Sequence, residues 1–117
     1  MRQWKIFLAA IGMATIIACP ALAAQNAKQR QEMTDIKSNC KDKWHTDYEM
    51  QDYCVRKQVQ ALNDVVHIMN GHLSQDEKEM LANCSVKWKQ AAGADWEMTR
   101  YCYRKQHAAY ERLNASN

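Results

Sequence analysis

DYEMQDYCVRKQ at residues 47–58 returns as DWEMTRYCYRKQ at residues 95–106. Asp, Glu, Met, Tyr, Cys, Arg, Lys and Gln coincide at an offset of 48. Upstream, NCKDKW at residues 39–44 matches NCSVKW at residues 83–88, with Asn, Cys, Lys and Trp coinciding at an offset of 44. Twelve identities in order over two short blocks mark an internal duplication. The offsets differ by four because the second copy has KQAAGA (89–94) where the first has only HT (45–46).

Apolar spacing then decides the secondary structure of the repeated unit. Met33, Ile36, Cys40 and Trp44 recur every three or four residues, as do Met80, Cys84 and Trp88 with Leu81 beside them. That is one face of a helix. After the connector, Met50, Cys54, Gln58, Ala61, Val65 and Met69 form a second stripe, and Met98, Cys102, Gln106, Ala109 and Leu113 form its copy. Asp47 or Thr46, the latter in a capping box with Glu49, opens the second helix, and Asp95 opens the fourth. Gly71 marks a stop, and Ser74 with Glu77 reads as a capping box for the third helix. Glycine is scarce and the single proline lies at position 20, so no strand pattern competes. The expectation is an all-α fold: two tandem antiparallel helical hairpins in one small four-helix domain, with repeats over about 28–70 and 75–114.

The first 23 residues have a different character. Arg2 and Lys5 precede an apolar run from Ile6 to Ala18, followed by Ala21-Leu22-Ala23. This is the layout of a secretory signal peptide cleaved after Ala23 or Ala24, leaving a domain over 24–117 in the periplasm or secreted. A rival reading takes Ile16-Ile17-Ala18-Cys19 as a lipobox with a lipid on Cys19, against which stand Pro20 and the downstream small-residue site. The apolar run falls short of the roughly 20 residues that span a bilayer. Of 16 basic residues, Arg2 and Lys5 belong to the leader, which leaves 14 against 13 acidic ones. Near balance, with the signs interspersed, gives no electrostatic footprint for nucleic acid.

Beyond the leader remain Cys40, Cys54, Cys84 and Cys102. An even count in a short exported chain reads as disulfides, and four cysteines allow three pairings. Pairing within each unit, Cys40 with Cys54 and Cys84 with Cys102, agrees with the duplication, because antiparallel helices bring those points side by side. No Cys-x-x-Cys supports a zinc or redox site. His67 and His72 are five apart, and His45 and His107 have no counterpart in the other copy, so each histidine is expected in solvent and no metal site is assigned. No cofactor motif and no catalytic constellation is present, and the chain reads as a non-enzyme.

The remaining candidates are the aromatic and basic positions of each unit. Trp44 and Tyr48 flank the first connector and Trp88 and Trp96 the second; they either close the hairpin tips or form a binding surface. Arg56-Lys57 and Arg104-Lys105 lie off the apolar stripes, free to meet an acidic partner. Gln58 and Gln106, polar on apolar stripes, are expected to satisfy backbone groups near helix ends.

The unit C-x3-W…D-[YFW]-x-M-x-x-Y-C-x3-Q resembles a motif of small bacterial and phage-associated proteins. The positions are Cys40, Trp44, Asp47, Tyr48, Met50, Tyr53, Cys54 and Gln58, and again Cys84, Trp88, Asp95, Trp96, Met98, Tyr101, Cys102 and Gln106. The resemblance implies a shared module and carries no mechanism. The expected role is an exported module that binds another envelope protein, of inhibitor or immunity type. The alternatives are a periplasmic carrier of metal or small ligand through Met and His, and a small envelope hydrolase.

Overall fold

The computed structural model describes residues 20–115. Four helices follow one another: α1 (Pro20–Trp44), α2 (Tyr48–Met69), α3 (Gln75–Lys87) and α4 (Trp96–Ala115). Among the described residues there is no strand beyond one isolated bridge, Lys89 to Ala94. The signal-peptide reading falls mainly on residues 1–19, outside the described residues; residues 20–24 form the exposed beginning of α1. No helix among the described residues is long and apolar enough to cross a membrane.

Short polar signals start and stop these helices. Asp47, rather than Thr46, caps α2: its side chain accepts the Met50 N–H at 3.1 Å. Ser74 and Glu77 form the full capping box at α3, and Asp95 accepts the Met98 N–H at 3.1 Å in the first turn of α4. Helix α2 ends at Met69 with Asn70 as its cap, and Gly71 follows without left-handed backbone. Helix α1 instead ends in a true left-handed residue, His45 at φ 45°, whose N–H bonds the Lys41 carbonyl at 2.7 Å.

Each hairpin is closed by its own disulfide. Cys40–Cys54 and Cys84–Cys102 both place their Cα atoms 5.7 Å apart, across 14 and 18 residues of chain. In the chain-entropy view each closure stabilises by about 3 kcal/mol. Disulfides of this kind persist in oxidising compartments, outside the cell or in a periplasm.

The hairpins pack through α2 and α4, with α1 and α3 on the outside. Gln58 meets Trp96, and farther along both helices Asp64 meets Arg100 and Arg104. Both chains advance together, so α2 and α4 are parallel. Residues paired across this contact are 36 to 40 apart in sequence, whereas the repeat offset is 48. The second hairpin is therefore a copy of the first displaced along α2 toward its C-terminus by roughly ten residues, about 15 Å of helix. The main core cluster, Val65, Leu81, Cys84 and Tyr103, lies where α2, α3 and α4 meet, and Ile36 and Cys40 are buried under the first hairpin.

This stagger overturns the expected equivalence of the second stripes. On α2 the stripe is buried at Gln58, Ala61 and Val65. On α4 its copy is not: Gln106 is exposed and Leu113 is 74 % exposed. Helix α4 lies between α2 and α3 and buries Thr99 and Tyr103 instead. Gln106 consequently satisfies no helix end, contrary to expectation. His107 is a second correction. Rather than standing in solvent, its Nε2 lies 2.9 Å from the Glu77 carboxylate of α3, and its ring stacks on Tyr103 at 5.5 Å.

Candidate functional site

The most constructed part of the surface is the groove of the first hairpin beside Cys40–Cys54, into which the tip of the second hairpin docks. Gln58 is only 8 % exposed and uses both ends of its amide. Its Nε2 donates to Asp95 Oδ1 at 2.9 Å, and its Oε1 accepts the Trp96 N–H at 2.8 Å. One helix's glutamine thus serves an unpaired N–H in the first turn of another, and orients the carboxylate that caps it. The expectation that Gln58 satisfies a backbone group near a helix end describes this contact.

Asn39 on α1 makes a second clamp. Its amide donates to the Ala92 carbonyl and accepts the Ala92 N–H at 3.3 Å. The connector can present Ala92 this way because Gln90 to Gly93 form a turn, closed by Gln90 N–H to Gly93 carbonyl at 2.8 Å, with Gly93 at φ 68°. A methyl group on Gly93 would stand 3.2 Å from Asp35 Oδ2, so both backbone sign and space favour glycine. Below it the Glu32 carboxyl is placed near the Trp96 side chain. Burial, and next the Asp35 charge, push the Glu32 carboxyl above its ordinary value, while Lys28 and the Trp96 side chain oppose the rise.

The sequence candidates divide between packing and exposure. Trp96 packs against the main core cluster, and Trp44 and Trp88 are half-buried beside the disulfides. Tyr48 is 75 % exposed. The aromatic tips are thus unlike: the second is inserted and the first stands free. Arg56 pairs with Asp52 at 3.0 Å along one exposed helix face, and Arg104 lies 3.8 Å from Asp64. Lys57 sits over the Tyr53 ring at 5.6 Å and Lys105 over Tyr101 at 5.5 Å. Lys43 over Trp44 and Lys87 over Trp88 repeat the arrangement at 5.6 and 6.0 Å. Tyr53 and Tyr101 remain about half exposed, at 48 % and 54 %.

Sequence reasoning singled out neither Asn39 nor the pair Asp64–Arg100, whose atoms approach to 2.5 Å. Asn39 was visible as one of the twelve identities, but a lone asparagine states no partner. Asp64 and Arg100 differ from their repeat counterparts Arg112 and Asp52, so repetition gave no signal. A further apolar groove of about 370 Å³ opens between α2, α3 and α4, lined by Val65, Met69, Leu81 and Thr99. Thr99 Oγ1 is buried there without a hydrogen-bond partner among the described residues.

The chain matches no protein-family model, no curated protein and no solved structure.

Proposed function

We propose that this protein is an exported, non-enzymatic binding module that holds another protein of the cell envelope. One observation carries the reading: an exposed tyrosine under a lysine, Tyr53–Lys57, recurs at Tyr101–Lys105 on a scaffold stapled beside each. Half-exposed tyrosines contribute little to the core, yet tyrosine is among the residues that dominate protein interfaces. The ammonium group over each ring adds a cationic rim that suits an acidic partner. Export rests on the leader-like residues 1–23 and on two disulfides, which together support a periplasmic or secreted location. A small rigid helical module of this kind fits an inhibitor or immunity protein acting on an envelope enzyme.

The test is affinity capture from envelope extract with the oxidised protein, comparing wild type with Tyr53→Ala/Tyr101→Ala. The expected result is a saturable partner lost by at least tenfold in the double variant, at unchanged melting temperature. A partner retained in full would remove the tyrosines from the reading.

A further inference from the structure

The duplication extends beyond its identities. At the offset of 44, Glu32, Asp35 and Ile36 of α1 correspond to Asp76, Glu79 and Met80 of α3, upstream of the identical Asn39/Asn83 and Lys43/Lys87. These are the groove residues of the first hairpin. Glu32 lies near Trp96, Asp35 lies against Gly93, Asn39 holds Ala92, and Gln58 holds Asp95 and Trp96. The second hairpin carries the whole set again in Asp76, Glu79, Asn83 and Gln106, around Cys84–Cys102. In the first hairpin the docked tip reduces the groove to about 110 Å³; in the second it stands open at about 410 Å³. Asn83 and Gln106 are exposed, and no hydrogen bond engages the Gln106 amide among the described residues.

The complementary piece is also unused. Asp47 and Tyr48 stand at the positions of Asp95 and Trp96, and Tyr48 is 75 % exposed. The parallel stagger tells how the two would meet. The second hairpin docks on the first with a slide along the helices and with α2 and α4 both innermost, a heterologous contact that uses different surfaces on its two sides. Such a relation does not end itself: it leaves one groove free at one end and one tip free at the other.

We propose that the groove of the second hairpin, at Asn83 and Gln106, receives the Asp47–Tyr48 tip of a second copy of this chain, so that copies associate head to tail. Gln106 donates to the Asp47 carboxylate and accepts the Tyr48 N–H, as Gln58 does for Asp95 and Trp96. The last turn of α1 next to that tip carries Lys41 and Lys43, which faces the acidic Asp76 and Glu79 with opposite charge. The free tip lacks the four-residue insertion that Asn39 grips, so Asn83 meets only His45 and Thr46. With one clamp in place of two, the contact between copies is weaker than the one within the chain. This goes beyond the tyrosine–lysine reading and does not depend on it.

Sedimentation velocity on the exported, oxidised protein tests the proposal over about 10 µM to about 1 mM, where a small polar interface associates. The expected result is a weight-average sedimentation coefficient that rises with concentration. Gln106→Ala, which removes an exposed side chain, and Asp47→Ser, which keeps an N-cap, each weaken association at least tenfold at unchanged melting temperature. Mixing the two variants restores pairs but not longer species, since one intact groove and one intact tip remain per pair. A monomer throughout the range overturns the proposal, as does association that survives either substitution. Asp47→Ser, which changes neither tyrosine–lysine pair, leaves capture of the envelope partner in place, which separates this result from the partner reading.

Discussion

Gln58 and Gln106 stand at the same place in the two hairpins, four residues past the second cysteine, in opposite surroundings. The first is buried and bonds at both ends of its amide; the second is exposed. The local sequence around them is the same, so the difference arises from the neighbour each hairpin has. Hairpin one receives a tip, and hairpin two is the one that inserts. A repeated residue therefore has a shared chemical capacity and a position-dependent use.

The disulfides should behave most alike, and their removal should have the largest effect. Cys40→Ala/Cys54→Ala and Cys84→Ala/Cys102→Ala each lower the unfolding free energy by about 3 kcal/mol in urea titrations, nearly equal because the closed loops are similar in length. A difference of several kcal/mol would show that the hairpins are not equivalent even as closed units.

The glutamines should break the equivalence. Gln58→Ala leaves the Trp96 N–H and the Asp95 carboxylate without their partner and lowers stability by about 2 kcal/mol. Gln106→Ala stays within about 0.5 kcal/mol for the monomer at low concentration. Equal effects would mean that the docked tip contributes nothing to the fold.

A smaller change sharpens the contrast within the second hairpin. Thr99 replaces Gln51 of the first repeat and is buried with its hydroxyl unpaired. Thr99→Val removes that unsatisfied group at similar volume and raises stability by about 1 kcal/mol. Calorimetry would read it as a higher melting temperature; a fall would show that the hydroxyl has a partner in solution.

The smallest effect is one of pH. Glu77 is held below its ordinary value of 4.5, first by the Ser74 backbone N–H, then by the Ser74 hydroxyl, with His107 adding to both. A depressed carboxyl contributes stability above the unfolded value and loses it as pH falls through the folded one. The melting temperature should therefore decline below about pH 4.5. Glu77→Gln should flatten that decline.

The helices, their caps and the disulfide pairing were legible in the sequence because each depends on residues within one or two turns or within one hairpin. Asp47, Ser74 and Asp95 act on N–H groups three residues away. The stagger between hairpins was not legible. It depends on Gln58, Asp64, Arg100 and Tyr103, which meet only after the chain has passed through α3, and nothing local encodes a slide of ten residues. That is also why Gln106, Leu113 and His107 were misplaced: reading α4 as a copy of α2 gave it the same buried face, whereas α4 has a helix on either side. The candidate tip residues were found, but their division into one inserted and one free tip required the packing.

The insertion at residues 91–94 has a meaning for assembly order. Two similar grooves and two similar tips could be matched in more than one way, and a duplicated chain is exposed to that ambiguity each time it folds. Only the longer tip reaches Asn39 with a turn closed by Gly93, so one match has two clamps and every other has one at most. The extra residues act as an address: they single out the partner within the chain, and leave any match between chains to a weaker second choice.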